Sequence, residues 1–258
     1  MLLSSAKDIR QTGLITSSGG DVGLIASAAI LQTATGDTTT SSGDVLVEAG
    51  GHWTMNGSAT ITAGGSDVLG TAGGTLTLGV ISVTSATENR IALSAGESIL
   101  DGNGGSVNIQ ETVAGATTAL SLRAADGTIG AADAGNGTPD INDQAIDLNV
   151  DTVAARTSAP TAGTDGIYLR EVVAGGALTV DTVAAVTVDI ESVMTVNFNS
   201  TTDDVSQDRT LGSLEDLTTG SNGSIKLVAE DGTLTVNAGA TLGGTGILGG
   251  NTVIANGG

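Results

Sequence analysis

The 258-residue chain has one histidine and no cysteine, with eight Lys or Arg against 28 Asp or Glu. Imidazole chemistry therefore has one starting point, His52, beside Trp53 and directly after Gly50-Gly51. A Ser-His-Asp relay needs a nucleophile held against its base, and a histidine metal site needs several rings. A single ring behind two glycines reads instead as a corner residue. Carboxylates offer two other chemistries, acid–base work by a close pair and capture of a hard cation. The densest oxygen cluster lies between Asp133 and Asp143, where Asp133, Asn136, Asp140, Asn142 and Asp143 are candidate calcium ligands. Their spacing fits neither an EF-hand nor the calcium-binding nonapeptide, and the competing reading is a solvated acidic loop. Gly244-Thr245-Gly246-Ile247-Leu248-Gly249 satisfies G-x-G-x-x-G, yet no acidic residue follows it, so it reads as turn glycine rather than a dinucleotide site. Thr-x-Thr pairs at Thr60/Thr62, Thr75/Thr77 and Thr233/Thr235 do not recur at a constant interval and build no flat threonine array. The cations Lys7, Arg10, Arg90, Arg123, Arg156, Arg170, Arg209 and Lys226 are scattered singly, and the remaining acids read as a solvated surface. The expectation is a chain with no catalytic residue and no cofactor beyond, at most, calcium.

Composition narrows the partners. A net charge of −20 opposes nucleic acid and anionic membranes, since both need clustered cations. No uninterrupted apolar run of about 20 residues is present to span a bilayer. Glycine is abundant at 40 residues, proline is only 2, and Trp53, Tyr168 and Phe198 are the only aromatics. Large rings cannot anchor a thick core here, while 39% hydrophobic residues give too much apolar area for disorder. A folded chain with a thin, repetitive core remains.

The elements that build such a core are written in an internal repeat. Asp21, Asp44, Asp67 and Arg90 stand at equal intervals, each followed by Val22, Val45, Val68 or Ile91. Two positions on stand Leu24, Val47, Gly70 and Leu93, and two further on Ala26, Ala49, Ala72 and Ala95. That alternation is strand geometry; it sends these residues to one face and Asp44, Leu46 and Glu48 to the other. A second inward position follows at Ile30, Trp53, Leu76 and Ile99, with small residues at the corner between. A constant interval lets like residues stack, which predicts an all-β fold, a β-solenoid of about 20–30 residues per coil and about 11 coils at ~4.8 Å each. Beyond residue 105 the interval loosens. Leu122–Ile129 is echoed by Leu227–Leu234 with Asp-Gly at a turn, and Val150–Ala155 returns identically as Val180–Ala185, suggesting longer coils. Segments 131–144, 156–166 and 199–222 are rich in Asp, Thr, Gly and Ser and are expected to project as loops; Leu211, Leu214 and Leu217 allow one helical turn in the last.

The run Gly43-Asp44-Val45-Leu46-Val47-Glu48-Ala49-Gly50-Gly51, with its echoes at Gly20-Asp21-Val22 and Asn89–Gly96, resembles the repeats of giant bacterial adhesins of the filamentous-haemagglutinin kind. The stretch from Gly239 to Gly250 is similar to the passenger-associated repeat of autotransporters. The resemblance implies a right-handed parallel β-helix, one solenoid segment, residues 1–258, of a longer secreted protein on a bacterial cell surface, serving as a stalk or adhesive fibre. It implies continuation into more chain or head-to-tail self-association, and a host-surface or glycan ligand, with neither nucleic acid nor membrane insertion. Two alternatives stand beside it, a β-helical polysaccharide lyase or hydrolase fragment and a self-assembling surface-layer protein.

Overall fold

The computed structural model describes residues 1–132, 144–159, 165–173, 176–196, 202–220, 223–240, 242–243 and 245–254. Every regular element among them is a β-strand. The strands stack in parallel and in register, forming three columns that the chain visits in turn. The first column contains Val22–Ala26, Val45–Ala49, Asp67–Ala72, Glu88–Ala95, Thr117–Ala124 and Thr152–Thr157. The second begins Ile9–Gln11, Ile30–Gln32, Trp53–Met55, Leu76–Leu78 and Ile99–Asp101. The third runs from Ile15–Ser17 through Thr38–Thr40, Thr60–Ala63, Val80–Val83 and Ile109–Glu111 to Ile146–Asn149. This arrangement is consistent with a β-solenoid.

The repeat sets the register as its spacing demands. Val22, Val45, Val68 and Ile91 are direct partners, as are Leu24, Val47, Gly70 and Leu93, and the four alanines after them. The second column carries one ladder through eight levels, from Ile9, Ile30, Trp53, Leu76 and Ile99 to Ile129, Ile167 and Ile225. All eight side chains are buried. Seven steps at ~4.8 Å give about 34 Å of stack. That is shorter than the sequence interval alone would give, because the later coils lengthen. Val68 pairs with Ile91, but Ile91 then pairs with Leu120 and Leu120 with Val153, so each of these steps spans more chain than the one before.

Two local complementarities keep the interior tight. Gly70 breaks a ladder of large residues because Trp53 fills its place; a Cβ on Gly70 would lie 2.4 Å from Trp53 Cζ3. At the corner after the first column, Gly50, Gly73 and Gly96 stack so closely that a Cβ on Gly73 would lie 2.1 Å from the Gly50 carbonyl oxygen. Any side chain there would push coils apart.

The later chain departs from its sequence pattern in three ways. The identical hexapeptides at Val150 and Val180 do not stack on one another, since Val153 pairs with Val180, and Val183 bridges Leu214 instead. The second Asp-Gly, Asp231-Gly232, lies within one strand, Ser224–Val236, which turns a corner there. Its first half pairs with Gly166–Glu171 and its second with Ala177–Val180. Segment 199–222, expected as a loop with a helical turn, contains the strand Thr202–Leu211, which pairs antiparallel with Val186–Val196, and the stack strand Leu217–Thr219. Within 156–166, Arg156 and Thr157 belong to a strand. Most of 131–144 lies outside the described residues.

The antiparallel hairpin covers a face that period-two alternation leaves in solvent. Leu46, Leu69 and Ala92 point outward from the first column, yet they are buried against Val186, Val188 and Ile190. Arg90 donates to the Ala185 carbonyl, and a Cβ on Gly23 would lie 3.3 Å from Ile190 Cγ1. Five extended residues, about 17 Å, thus span the three strand spacings from Arg90 to Gly23, about 14 Å. The hairpin therefore runs along the stack as a strap, pinned at its side by Arg209 and Glu48 at 2.7 Å.

Candidate functional site

The residues singled out for chemistry serve the stack. His52 is an exposed corner residue whose Nδ1 accepts the Thr75 N–H at 2.9 Å. Glu97 Oε2 lies 3.9 Å from the same nitrogen and accepts the Thr75 hydroxyl at 2.7 Å. Many acids are structural rather than merely solvated. Asp8, Asp21, Asp37 and Asp44 each accept a backbone N–H from the next coil, from Ala29, Asp44, Thr60 and Asp67 at 2.8–2.9 Å. The aspartate that opens each repeat thus caps its successor. Arg90 ends the series by gripping Asp67 through Nε and Nη2. Burial raises the Asp44 and Asp67 carboxyls above the usual range, against those hydrogen bonds and, for Asp67, the Arg90 charge.

Polar groups also enter the interior. Gln11 and Gln32 are buried and stack, with Gln32 Nε2 donating to Gln11 Oε1 at 3.1 Å and Trp53 Nε1 donating to Gln32 Oε1 at 2.9 Å. A second network joins Asp147 to Arg170, which also reaches Glu230 at 3.1 Å. Asn108 ties Asp101 to Asn103 nearby. Hydrogen bonding to Asp147 raises the Arg170 guanidinium further, so it stays charged, and these groups hold one another in place.

Two of the cavities lined by described residues carry polar side chains of interest. The smaller, about 260 Å³, lies at a corner lined by Glu111, Asn149, Asp151 and Glu171. Glu171 follows Leu148 and precedes Ala229 in an inward ladder, so its carboxyl sits where the fold wants an apolar side chain. It is 2% exposed; Oε1 accepts the Val173 N–H, and Oε2 has no partner. Burial pushes this carboxyl up to about 7, with the Asp151 charge adding to the effect. Thr118 bridges the other two acids, its hydroxyl donating to Glu111 and its N–H to Asp151. The period of two already places Glu171 with Ile167 and Leu169, a signal that its charge obscured.

The larger cavity, about 500 Å³ and open to solvent, lies between Arg156–Ser158 and Ser213–Gly220. Its wall includes Asp216, which has φ 66. Beside it Arg123 holds the Ser213 carbonyl at 2.9 Å and also donates to the Gly212 carbonyl.

The calcium candidates Asp133, Asn136, Asp140, Asn142 and Asp143 lie outside the described residues. Among the described residues, no group of three or more His, Cys, Asp or Glu could hold a metal ion. Gly244 of the glycine motif is also outside them, and Thr245–Gly249 belongs to a strand. No helix among them is long and apolar enough to cross a membrane. Set against protein-family models, curated proteins and solved structures, the chain matches none of them.

Proposed function

We propose that this chain is a structural and adhesive segment of a secreted bacterial surface protein, a closed, right-handed β-solenoid acting as stalk or fibre. The observation that carries the reading is the unbroken inward ladder from Ile9 to Ile225, one residue per level through eight levels. Such a stack bears load along its axis through successive rows of backbone hydrogen bonds, and each level is stabilised mainly by its neighbours. The aspartate caps and the hairpin strap support the same role, because both join coils to one another. An exposed strand edge at either end of a stack is a template for the next, supplied by further chain or by a second copy joined head to tail.

The test is location and form together. Intact cells making the full-length protein should lose it to external protease and present it to antibodies raised against this segment, and concentrated protein should associate end to end. Retention inside unbroken cells would refute the surface role. Protein that stays monomeric at high concentration, with no fibres by microscopy, would refute self-association.

A further inference from the structure

We propose that the open cavity beside Arg156 binds a saccharide carrying a single carboxylate, a uronic-acid unit. This deepens the adhesive part of the proposed function and rests on that reading for its use at a surface, although the binding itself can be measured without it.

Size and lining come first. About 500 Å³ is within the range of small-ligand sites, and this one presents three hydroxyl side chains, Ser158, Ser213 and Thr218, the last a direct partner of Arg156 on the same face. Hydroxyls both donate and accept, matching the alternating demands of a sugar's own hydroxyls. Thr157, wholly buried, continues the inward alanine ladder from Ala124, so its side chain faces the stack interior and Arg156 faces the cavity.

Charge supplies the second argument. Arg123 and Arg156 are direct partners on adjacent strands, so two guanidinium groups share one side of the sheet. Like charges placed directly opposite are unfavourable. Among the described residues, the arginine ion pairs use Arg90, Arg170 and Arg209, and neither of these two. Arg123 is committed to the Gly212 and Ser213 carbonyls through Nη2, while its Nη1 is buried without a partner. Its pKa is lowered by burial and then by Arg156. Arg156, exposed on the cavity wall, is the group placed to take a carboxylate in a two-pronged hydrogen bond. Glu215 and Asp216 share that wall and would repel a second negative charge. The site therefore suits one carboxylate among hydroxyls rather than a polyanion.

The test is an amide chemical-shift titration of the full chain with sodium glucuronate, and in parallel with glucose, acetate and inorganic sulfate. Glucuronate should give saturable shifts at Arg156–Ser158 and Ser213–Gly220, with the other three binding at least tenfold more weakly. Arg156→Ala should weaken glucuronate about tenfold or more, whereas Arg10→Ala, at a distant exposed arginine, should not. Thr218→Val, beside Arg156 on the same face, should weaken binding several-fold while leaving the melting temperature unchanged, an outcome that a purely structural threonine would not give. Absence of saturable shifts, equal binding of acetate or sulfate, or an unaffected Arg156→Ala variant would each overturn the proposal. Amide protection of the stack in the same samples reports separately on the fold, so failure of the site and failure of the solenoid reading are distinguishable.

Discussion

Restoring the repeat at Gly70 should damage the protein. Neighbouring coils carry Leu24, Val47 and Leu93 at this level, so consensus reasoning recommends Gly70→Val as a stabilising change. The structure argues the reverse, because a Cβ there would stand 2.4 Å from Trp53 Cζ3 and 2.8 Å from Leu93 Cδ2. Carbon atoms in contact prefer about 3.5–4.0 Å, so the indole would have to retreat by about 1 Å before the valine methyl groups are placed. Overpacking of that kind costs about 1–3 kcal/mol. Trp53→Leu alone should cost about 3 kcal/mol, from the void left by the ring and from the unpaired Gln32 Oε1. In the double variant the valine occupies the space the ring has left. Its cost should therefore fall at least ~1.5 kcal/mol below the sum of the single costs. Denaturation followed by far-UV circular dichroism, with hydrogen exchange at Val47, Leu69 and Leu93 to resolve local opening, measures the cycle. Additivity within ~0.5 kcal/mol, or a stabilising Gly70→Val, would refute the claim that ring and glycine are one packing unit.

Leu93→Asp should cost several kcal/mol, since that side chain is fully buried, while Ser94→Asp beside Arg123 should stay within ~0.5 kcal/mol; equal effects by exchange would remove the inward assignment. Glu171 makes stability fall with rising pH. The folded carboxyl holds its proton up to about 7 and the unfolded one releases it near 4.5, so about 3 kcal/mol present below pH 4.5 is lost once pH passes 7. Glu171→Gln should flatten this slope in melting curves, and an unchanged slope would contradict the assignment. Ile190→Asp should lift the hairpin, raising exchange at Leu46 and Leu69 while the Ile30 to Ile99 ladder stays protected; loss of the whole stack together would show that the hairpin is no separable strap.

What the sequence made legible was whatever repeats. Between residues 20 and 100 the pattern returns at one fixed interval, and the pairing follows from that interval alone because identical spacing allows only one register. Trp53 was recognisable as inward by its place in that ladder, but its match to Gly70 was not, since it joins different positions of the repeat. The hairpin was hidden for a physical reason. Its cue is an outward apolar stripe, Leu46, Leu69 and Ala92, whose cover is supplied from much later in the chain, by Val186, Val188 and Ile190. The hexapeptide echo at Val150 and Val180 misled because a repeated sequence sets register only when the intervening coil has matching length. The cavity beside Arg156 was unreadable for a related reason, as it joins the end of one strand to a segment following the hairpin. Glu171 could have been found by parity with Ile167 and Leu169.

The central claim is that parallel coils stack into a rod. Electron microscopy of the full-length protein, at a resolution that separates strands, tests it most directly. The account predicts a rod with an axial repeat of ~4.8 Å, built from three columns of strands perpendicular to the long axis, with the hairpin lying lengthwise over one face. A compact particle with no such repeat along its axis would contradict it.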